Sequence, residues 1–167
     1  SPEALILVAK QVLAFDPEDV HALMFCGLGY QALEVNGLAS KYYDQALMRM
    51  DPDARRVMES VEYVAPKEDR EQLALAVEQG QIEGDIYWVD SPDLRLFWQA
   101  YDPLFLTDYN ERRLEHYGRV AYANLRFSRL WKDVSGWETD KGKTYIKFGR
   151  YVYRRSTSAT VGQLSRE

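Results

Sequence analysis

The sequence predicts a mostly α-helical fold of antiparallel helical hairpins, followed by a helical segment with one long helix and a small β-hairpin. Apolar residues recur at intervals of three and four through most of the chain, as on the buried face of a helix. Turn-forming pairs interrupt this pattern at Asp16-Pro17, Asn36-Gly37 and Asp51-Pro52. Only near the C-terminal end does the spacing change to the alternation that is typical of strands.

The first half is predicted to contain five helices, over 3–14, 19–34, 38–50, 53–64 and 66–79. Asp16 or Asp19 is suited to cap the second helix. Pro66 suits a first helical turn, and Gly80 suits a stop. The spacing therefore predicts short helices joined by tight turns.

The second half is predicted to begin after a linker and to change character near residue 140. The expected helices span 92–101 and 108–131, the latter with Thr107 as its cap. Asp140-Lys141-Gly142 is expected to be a tight turn. The predicted hairpin pairs Thr144–Phe148 with Tyr151–Arg155 across Gly149-Arg150. The predicted organisation is a helical repeat region at 1–79, a linker at 80–93, a second domain at 94–155 and a polar tail at 156–167.

Charge and composition narrow the function classes. The 167 residues carry a net charge of −5. Residues 1–111 hold 8 basic and 21 acidic residues, whereas residues 112–167 hold 13 and 5. The acidic front and basic back suggest two units that attract each other. One cysteine and two separated histidines give no disulfide, metal or cofactor site, and no apolar run is long enough to span a membrane.

The front half contains an internal repeat, since Asp16-Pro17 recurs as Asp51-Pro52 after 35 residues. Between the two pairs, large and small residues alternate in a fixed pattern: Leu23, Cys26, Gly27, Tyr30, Ala39, Tyr43 and Ala46. This pattern resembles the tetratricopeptide repeat (TPR), whose period is about 34 residues. The small residues would let two antiparallel helices approach closely, with the two tyrosines filling the remaining space. Cys26 is expected to be a buried, unreactive packing residue.

The back half carries a longer motif. It comprises Phe97-Trp98, Asp102-Pro103, Asn110–Arg112, Glu115–Tyr117, Arg119–Asn124, Gly136–Lys143 and Tyr145–Gly149. This segment, about a third of the chain, resembles the GWxTD domain, a bacterial family that is often joined to TPR repeats and has no established activity. The resemblance implies a bacterial protein, and it favours the periplasm or cell envelope because such domains often occur in exported proteins.

The motif residues have expected structural roles. Gly136 permits a bend, and Trp137 anchors the turn against the long helix. Thr139 and Asp140 are expected to bind backbone N–H groups. Gly142 is expected to supply a positive φ that closes the turn.

A basic stripe on the long helix is the candidate interaction face, formed by Arg119, Tyr122, Arg126 and Arg129. The three arginines are expected to lack a carboxylate partner on their own helix. Three explanations remain open: they pair with the acidic front half, they bind an anionic partner, or they are solvated. His116 is expected to be a surface or capping group. With Glu111 and Glu115 it forms the weak acid–base set on which an enzyme would depend.

The leading hypothesis is a non-catalytic module that binds other protein chains, as an interaction or assembly scaffold within a larger complex. The alternative is binding of a nucleic acid or another polyanion, because aromatic residues are interleaved with Lys and Arg from Tyr117 to Arg155. The net negative charge argues against that alternative.

Overall fold

The computed structural model of the protein describes residues 1–78, 81–83, 86–88, 91–102, 106–129 and 134–150. Within these ranges the chain is mostly helical, as predicted. The α-helices are α1 (Pro2–Phe15), α2 (Val20–Ala32), α3 (Asn36–Arg49), α4 (Pro52–Glu59), α5 (Arg70–Glu78), α6 (Pro92–Ala100), α7 (Glu111–Phe127) and α8 (Asp140–Phe148). Strands β1 (Gln81–Glu83) and β2 (Ile86–Trp88) form an antiparallel pair, and Gly136–Glu138 is a single 3₁₀ turn. No described helix combines the length and apolarity needed to cross a membrane.

The front helices begin at acidic caps. The Asp19 carboxylate accepts a hydrogen bond of 2.6 Å from the Ala22 N–H at the start of α2. Asp51 accepts one of 2.9 Å from the Ala54 N–H at the start of α4. Each cap satisfies a backbone donor that has no partner inside its helix. Helix α2 then packs against both α1 and α3.

The α2–α3 contact is closest at Gly27. A Cβ atom on Gly27 would lie 2.7 Å from Cε1 of Tyr43. The Tyr43 ring is completely buried, as are Ala39 and Ala46 on the same helix. The ring therefore occupies the space that the absent Gly27 side chain leaves free.

Helix α7 packs against α2 and α3, so the two halves of the chain share one core. Gly118 of α7 faces Gln31 of α2, whose amide nitrogen donates to the Leu114 carbonyl at 3.2 Å. Tyr43 donates from its hydroxyl to Gln31 Oε1 at 3.1 Å. The rings of Tyr43 and Tyr117 meet edge to face, with centroids 5.9 Å apart. A second core cluster joins α5 to α6 through Leu73, Val77, Leu94, Phe97 and Trp98.

The long helix is shorter than the predicted span of 108–131. It begins after Asn110, whose side chain accepts from the Arg113 N–H at 2.8 Å, rather than after Thr107. It ends because Ser128 leaves the helical conformation, with ψ at 144°, and donates from its hydroxyl to the Asn124 carbonyl at 2.6 Å.

The predicted strand at Thr144–Phe148 is wrong, because these residues belong to α8. The predicted tight turn at Asp140–Gly142 is also wrong, since it is the first turn of that helix. Alternating aromatic and polar residues misled the strand prediction. The buried positions, Gly142, Ile146 and Gly149, instead follow helical spacing. The other predicted strand, Tyr151–Arg155, lies outside the described residues.

Other boundaries also differ from the predicted ones. The fourth helix ends at Glu59 rather than near residue 64, and the fifth begins at Arg70 rather than at Pro66. Backbone bonds from Ala65 to Val61 and from Asp69 to Pro66 close turns between them. The predicted linker contains the β1–β2 pair, which sequence analysis missed.

We predict that Gly27→Ala will destabilise the protein in urea unfolding, because the new methyl group collides with the immobile Tyr43 ring. Overpacking costs about 1–3 kcal/mol and the gain in helix propensity returns ~1 kcal/mol, so the expected net loss is up to about 2 kcal/mol. Gly37→Ala in α3 is the matched control, since no atom lies within 4 Å of the position that its Cβ would take. Equal stability of the two variants would contradict this account of the contact.

Candidate functional site

Gly136 is clamped against the end of α7. Its N–H is shared between Asn124 Oδ1 at 3.0 Å and Ser128 Oγ at 2.9 Å. A Cβ on Gly136 would lie 2.0 Å from the Ala123 carbonyl oxygen. A side chain at position 136 would thus push the turn away from the helix that holds it.

Thr139 joins the 3₁₀ turn to α8. Its hydroxyl donates to the Gly136 carbonyl at 2.7 Å and accepts from the Gly142 N–H at 3.0 Å. A Cβ on Gly142 would lie 1.9 Å from the Gly136 carbonyl oxygen. Gly142 is therefore needed for close approach within a helix, and the predicted positive φ is wrong, because among the described glycines only Gly149 has one. Asp140 lies exposed in the first turn of α8.

Trp137 is half-buried and packs against the main core. It also lines a cavity of about 280 Å³ between α4, α7 and α8. The same cavity is bordered by His116 and Val120 of α7 and by Ile146 of α8. The motif thus places the Trp137 ring at the border of the same cavity as the buried His116.

His116 is buried, with 2% of its surface exposed, so the expected surface position is wrong. The Trp98 ring covers it, with centroids 5.6 Å apart, and α4 lies against its other edge. Nε2 is 3.0 Å from the Met58 carbonyl oxygen, which can only accept, so Nε2 carries the proton. Burial lowers the pKa of His116 to about 4, and the ring is neutral at pH 7.

A buried polar network links α4 to α7 and was missed by sequence analysis. The Glu59 carboxylate, 4% exposed, accepts from the Tyr117 hydroxyl at 3.1 Å and from Arg113 Nη2 at 3.3 Å. Burial raises the pKa of Tyr117, so the hydroxyl keeps its proton and donates. An acidic residue of the front half thus pairs with a basic residue of the back half, although Arg113 lies outside the predicted stripe. The only sequence signal was Glu59 in a short amphipathic helix.

The four residues of the predicted interaction face have different surroundings. Arg119 pairs with Glu115 one turn earlier, so the expected absence of a partner on its helix is wrong. Its guanidinium also donates to the Ile146 and Lys147 carbonyls and so caps α8. Tyr122 stacks on Tyr145 at 4.5 Å between centroids. Arg126 and Arg129 are exposed.

The residues of the predicted repeat lie mainly inside the front helices. Leu23, Cys26 and Gly27 are buried in α2. Tyr30 is half-buried and stacks on Tyr42, with centroids 5.4 Å apart and ring planes at 13°. Burial raises the pKa of the Cys26 thiol, which keeps it protonated and weakly nucleophilic.

Comparisons with known proteins give no family assignment. No family model, curated protein or solved structure matches this chain. The resemblances to TPR repeats and to the GWxTD domain therefore stay predictions. Within the described ranges, no group of three or more His, Cys, Asp and Glu residues is arranged to hold a metal ion.

We predict that Thr139→Val will lower the free energy of unfolding by about 1–2 kcal/mol, because the isosteric valine loses the cap of α8. Thermal or urea unfolding measures the change. Thr144→Val is the matched control, since the Thr144 hydroxyl only donates to the Asp140 carbonyl within the same helix, at 2.6 Å. A larger loss at Thr144 than at Thr139 would refute the proposed cap.

We also predict an acid-sensitive contribution from His116. The histidine pKa falls from 6.5 in a model compound to about 4 here, so below pH 6.5 the unfolded chain binds more protons. The stability contributed by neutral His116 is complete above pH 6.5 and is lost as the pH falls towards 4. Urea unfolding should show a loss of about 2–3 kcal/mol from this group between pH 7 and pH 4.5.

The variant His116→Gln isolates this contribution, because the glutamine amide can still donate to Met58 but does not titrate. Its unfolding free energy should change less with pH than that of the unmodified protein. His21→Gln, at the exposed second histidine, should keep the full dependence. Identical pH profiles for the protein and His116→Gln would show that His116 is not the titrating group.

Proposed function

We propose that this chain is a non-catalytic module that binds other protein chains, with TPR-like helices in front and a GWxTD-type unit behind them. The single observation that carries the proposal is the outer face of α1. Phe15 is 92% exposed, Leu7 61% and Val8 58%. A cluster of large apolar side chains that is exposed to water on one helix is typical of a surface that binds another molecule.

These side chains lie on one side of α1, where the polar Gln11 lies between Leu7 and Phe15. At 100° per residue, Ala4, Leu7, Val8, Val12 and Phe15 lie on the same side of α1. The opposite side carries Ile6 and Ala9, which are buried against the rest of the protein. Helix α1 is therefore apolar on two sides, whereas a helix at the surface of a monomer normally needs only one.

A helical-repeat architecture explains the second apolar side. Each helix pair in such an array buries one face on its own neighbour and offers the other to the next pair. The close Gly27–Tyr43 contact and the buried alanines of α3 support the comparison with a repeat. The partner that suits the exposed apolar side of α1 is an amphipathic helix of another protein chain, laid against it through apolar residues at helical spacing.

Site-specific photo-crosslinking in the cells that produce the protein tests this proposal. A photoreactive phenylalanine analogue at Val8 should yield one discrete adduct, which mass spectrometry identifies as a second protein. The same analogue at Leu96, which is 62% exposed on α6, is the matched control and should not yield that adduct.

The double substitution Leu7→Glu/Phe15→Glu should abolish the Val8 adduct, because charged side chains cannot be buried in an apolar contact without a large cost. Leu96→Glu should leave it unchanged. Circular dichroism should remain that of the parent protein, since all three side chains are exposed. No adduct at Val8, or an adduct that survives the double substitution, would count against the α1 face as the binding surface.

A further inference from the structure

The outer sides of α7 and α8 carry aromatic rings and positive charges together. On each helix these residues are three or four positions apart and so share one side. The Tyr122 and Tyr145 rings stack with their centroids 4.5 Å apart and their planes at 23°, so the two sides join into one surface. The members of this α7–α8 surface are Arg119, Tyr122, Arg126, Lys141, Tyr145 and Phe148.

The aromatic part of the α7–α8 surface reaches solvent. Phe148, in the last turn of α8, is 66% exposed, and Tyr122 and Tyr145 are half-buried. The Lys147 ammonium lies 5.1 Å from the centroid of the Phe148 ring, which places a positive charge beside the exposed ring. Exposed rings next to cations are the arrangement on which proteins stack nucleic-acid bases while they bind the phosphates.

The positive charge of the surface is only partly neutralised. Arg119 pairs with Glu115, whereas the exposed Arg126 and Lys141 have no carboxylate partner in the described part of the chain. From 111 to 150, the described residues include nine Lys or Arg and four Asp or Glu. Salt screens charges that lie more than ~10 Å away. The local excess of positive charge therefore acts on a bound molecule more strongly than the net charge of −5 on the whole chain.

The combination of rings and cations favours one class of polyanion. A polyphosphate offers charge without a flat partner for Phe148, and a duplex keeps its bases stacked inside. A single strand presents phosphates together with unpaired bases that can stack on aromatic side chains. Anionic lipid surfaces bind helices that bury a broad apolar face, whereas Phe148 is the one large apolar side chain of α8 that is mostly exposed.

We propose that the α7–α8 surface binds single-stranded nucleic acid, with a base stacked on Phe148 and phosphates contacted by Lys141 and Arg126. Lys141 and Phe148 are separated by about 10 Å along the axis of α8, so the strand runs along this helix. The proposal does not depend on the α1 face, and either can fail alone.

Fluorescence anisotropy with a labelled oligothymidine of about 12 nucleotides tests the stacking contact. Binding should be saturable, and Phe148→Ala should weaken it at least about fivefold, the equivalent of ~1 kcal/mol for one stacked base. Phe148→Trp should retain the affinity, because it keeps a ring at this position. Phe15→Ala is the matched control, since Phe15 is 92% exposed but lies on α1, and it should leave the affinity unchanged.

The salt dependence tests the phosphate contacts. Between about 50 and 200 mM salt the affinity of the unmodified protein should fall steeply, since each phosphate contact on a single strand contributes ~0.7 to the logarithmic slope. The double substitution Arg126→Gln/Lys141→Gln should make this slope shallower. Lys41→Gln/Lys67→Gln, which removes the same charge at exposed positions elsewhere, should keep the slope of the unmodified protein.

Two further ligands separate the proposal from its competitors. Polyphosphate should compete with the oligothymidine only weakly, and Phe148→Ala should not change binding to vesicles that contain phosphatidylserine. The proposal is overturned if the oligothymidine does not bind saturably at low salt, if Phe148→Ala binds it as tightly as the unmodified protein, or if both double substitutions give the same slope. It is also overturned if polyphosphate of equal charge competes as well as unlabelled oligothymidine, or if Phe148→Ala loses binding to the vesicles instead of the oligothymidine.

Discussion

The rest of the structure depends on how the buried Tyr43 side chain packs between the helices. The ring fills the space beside Gly27, donates from its hydroxyl to Gln31 and packs edge to face with the Tyr117 ring. This one side chain of α3 therefore contacts both α2 and α7. Gln31 relays this contact to the Leu114 carbonyl. Because the ring is fully buried, its hydroxyl needs a partner, and Gln31 supplies one. The position of α7 on the front helices therefore follows from the packing of Tyr43 against Tyr117 and from the hydrogen bonds of Gln31.

The position of α7 in turn determines where the 3₁₀ turn and α8 lie. Gly136 and Gly142 are placed where a carbonyl oxygen occupies the space of a side chain, and Thr139 ties the two together through its hydroxyl. Arg119 closes the other end of α8 by donating to its last carbonyls. Gly136, Thr139 and Gly142 of the motif therefore hold the 3₁₀ turn and α8 together. Trp137 borders the cavity between α4, α7 and α8.

The sequence was sufficient for the helical class and for the starts of α1 to α4, because caps such as Asp19 and Asp51 act locally. It was insufficient for α8, where alternating aromatic residues suggested a strand. The decisive contacts of α8 are with α7, far from it in sequence, and tertiary contacts override local propensity there. The burial of His116 and Glu59 was missed for the same reason, since the elements that cover them are distant in sequence.

The buried side chains of Glu59 and His116 differ in how their polar atoms are compensated. Glu59 has donors from Tyr117 and Arg113, so its burial is compensated within the protein. The His116 ring is compensated at Nε2, while Nδ1 has no partner among the described residues. A glutamine could also donate to the Met58 carbonyl and would not titrate, but its amide oxygen would be an unpaired acceptor in place of Nδ1. The unpaired acceptor and the lowered pKa of His116 are both consequences of burying this polar side chain in the core.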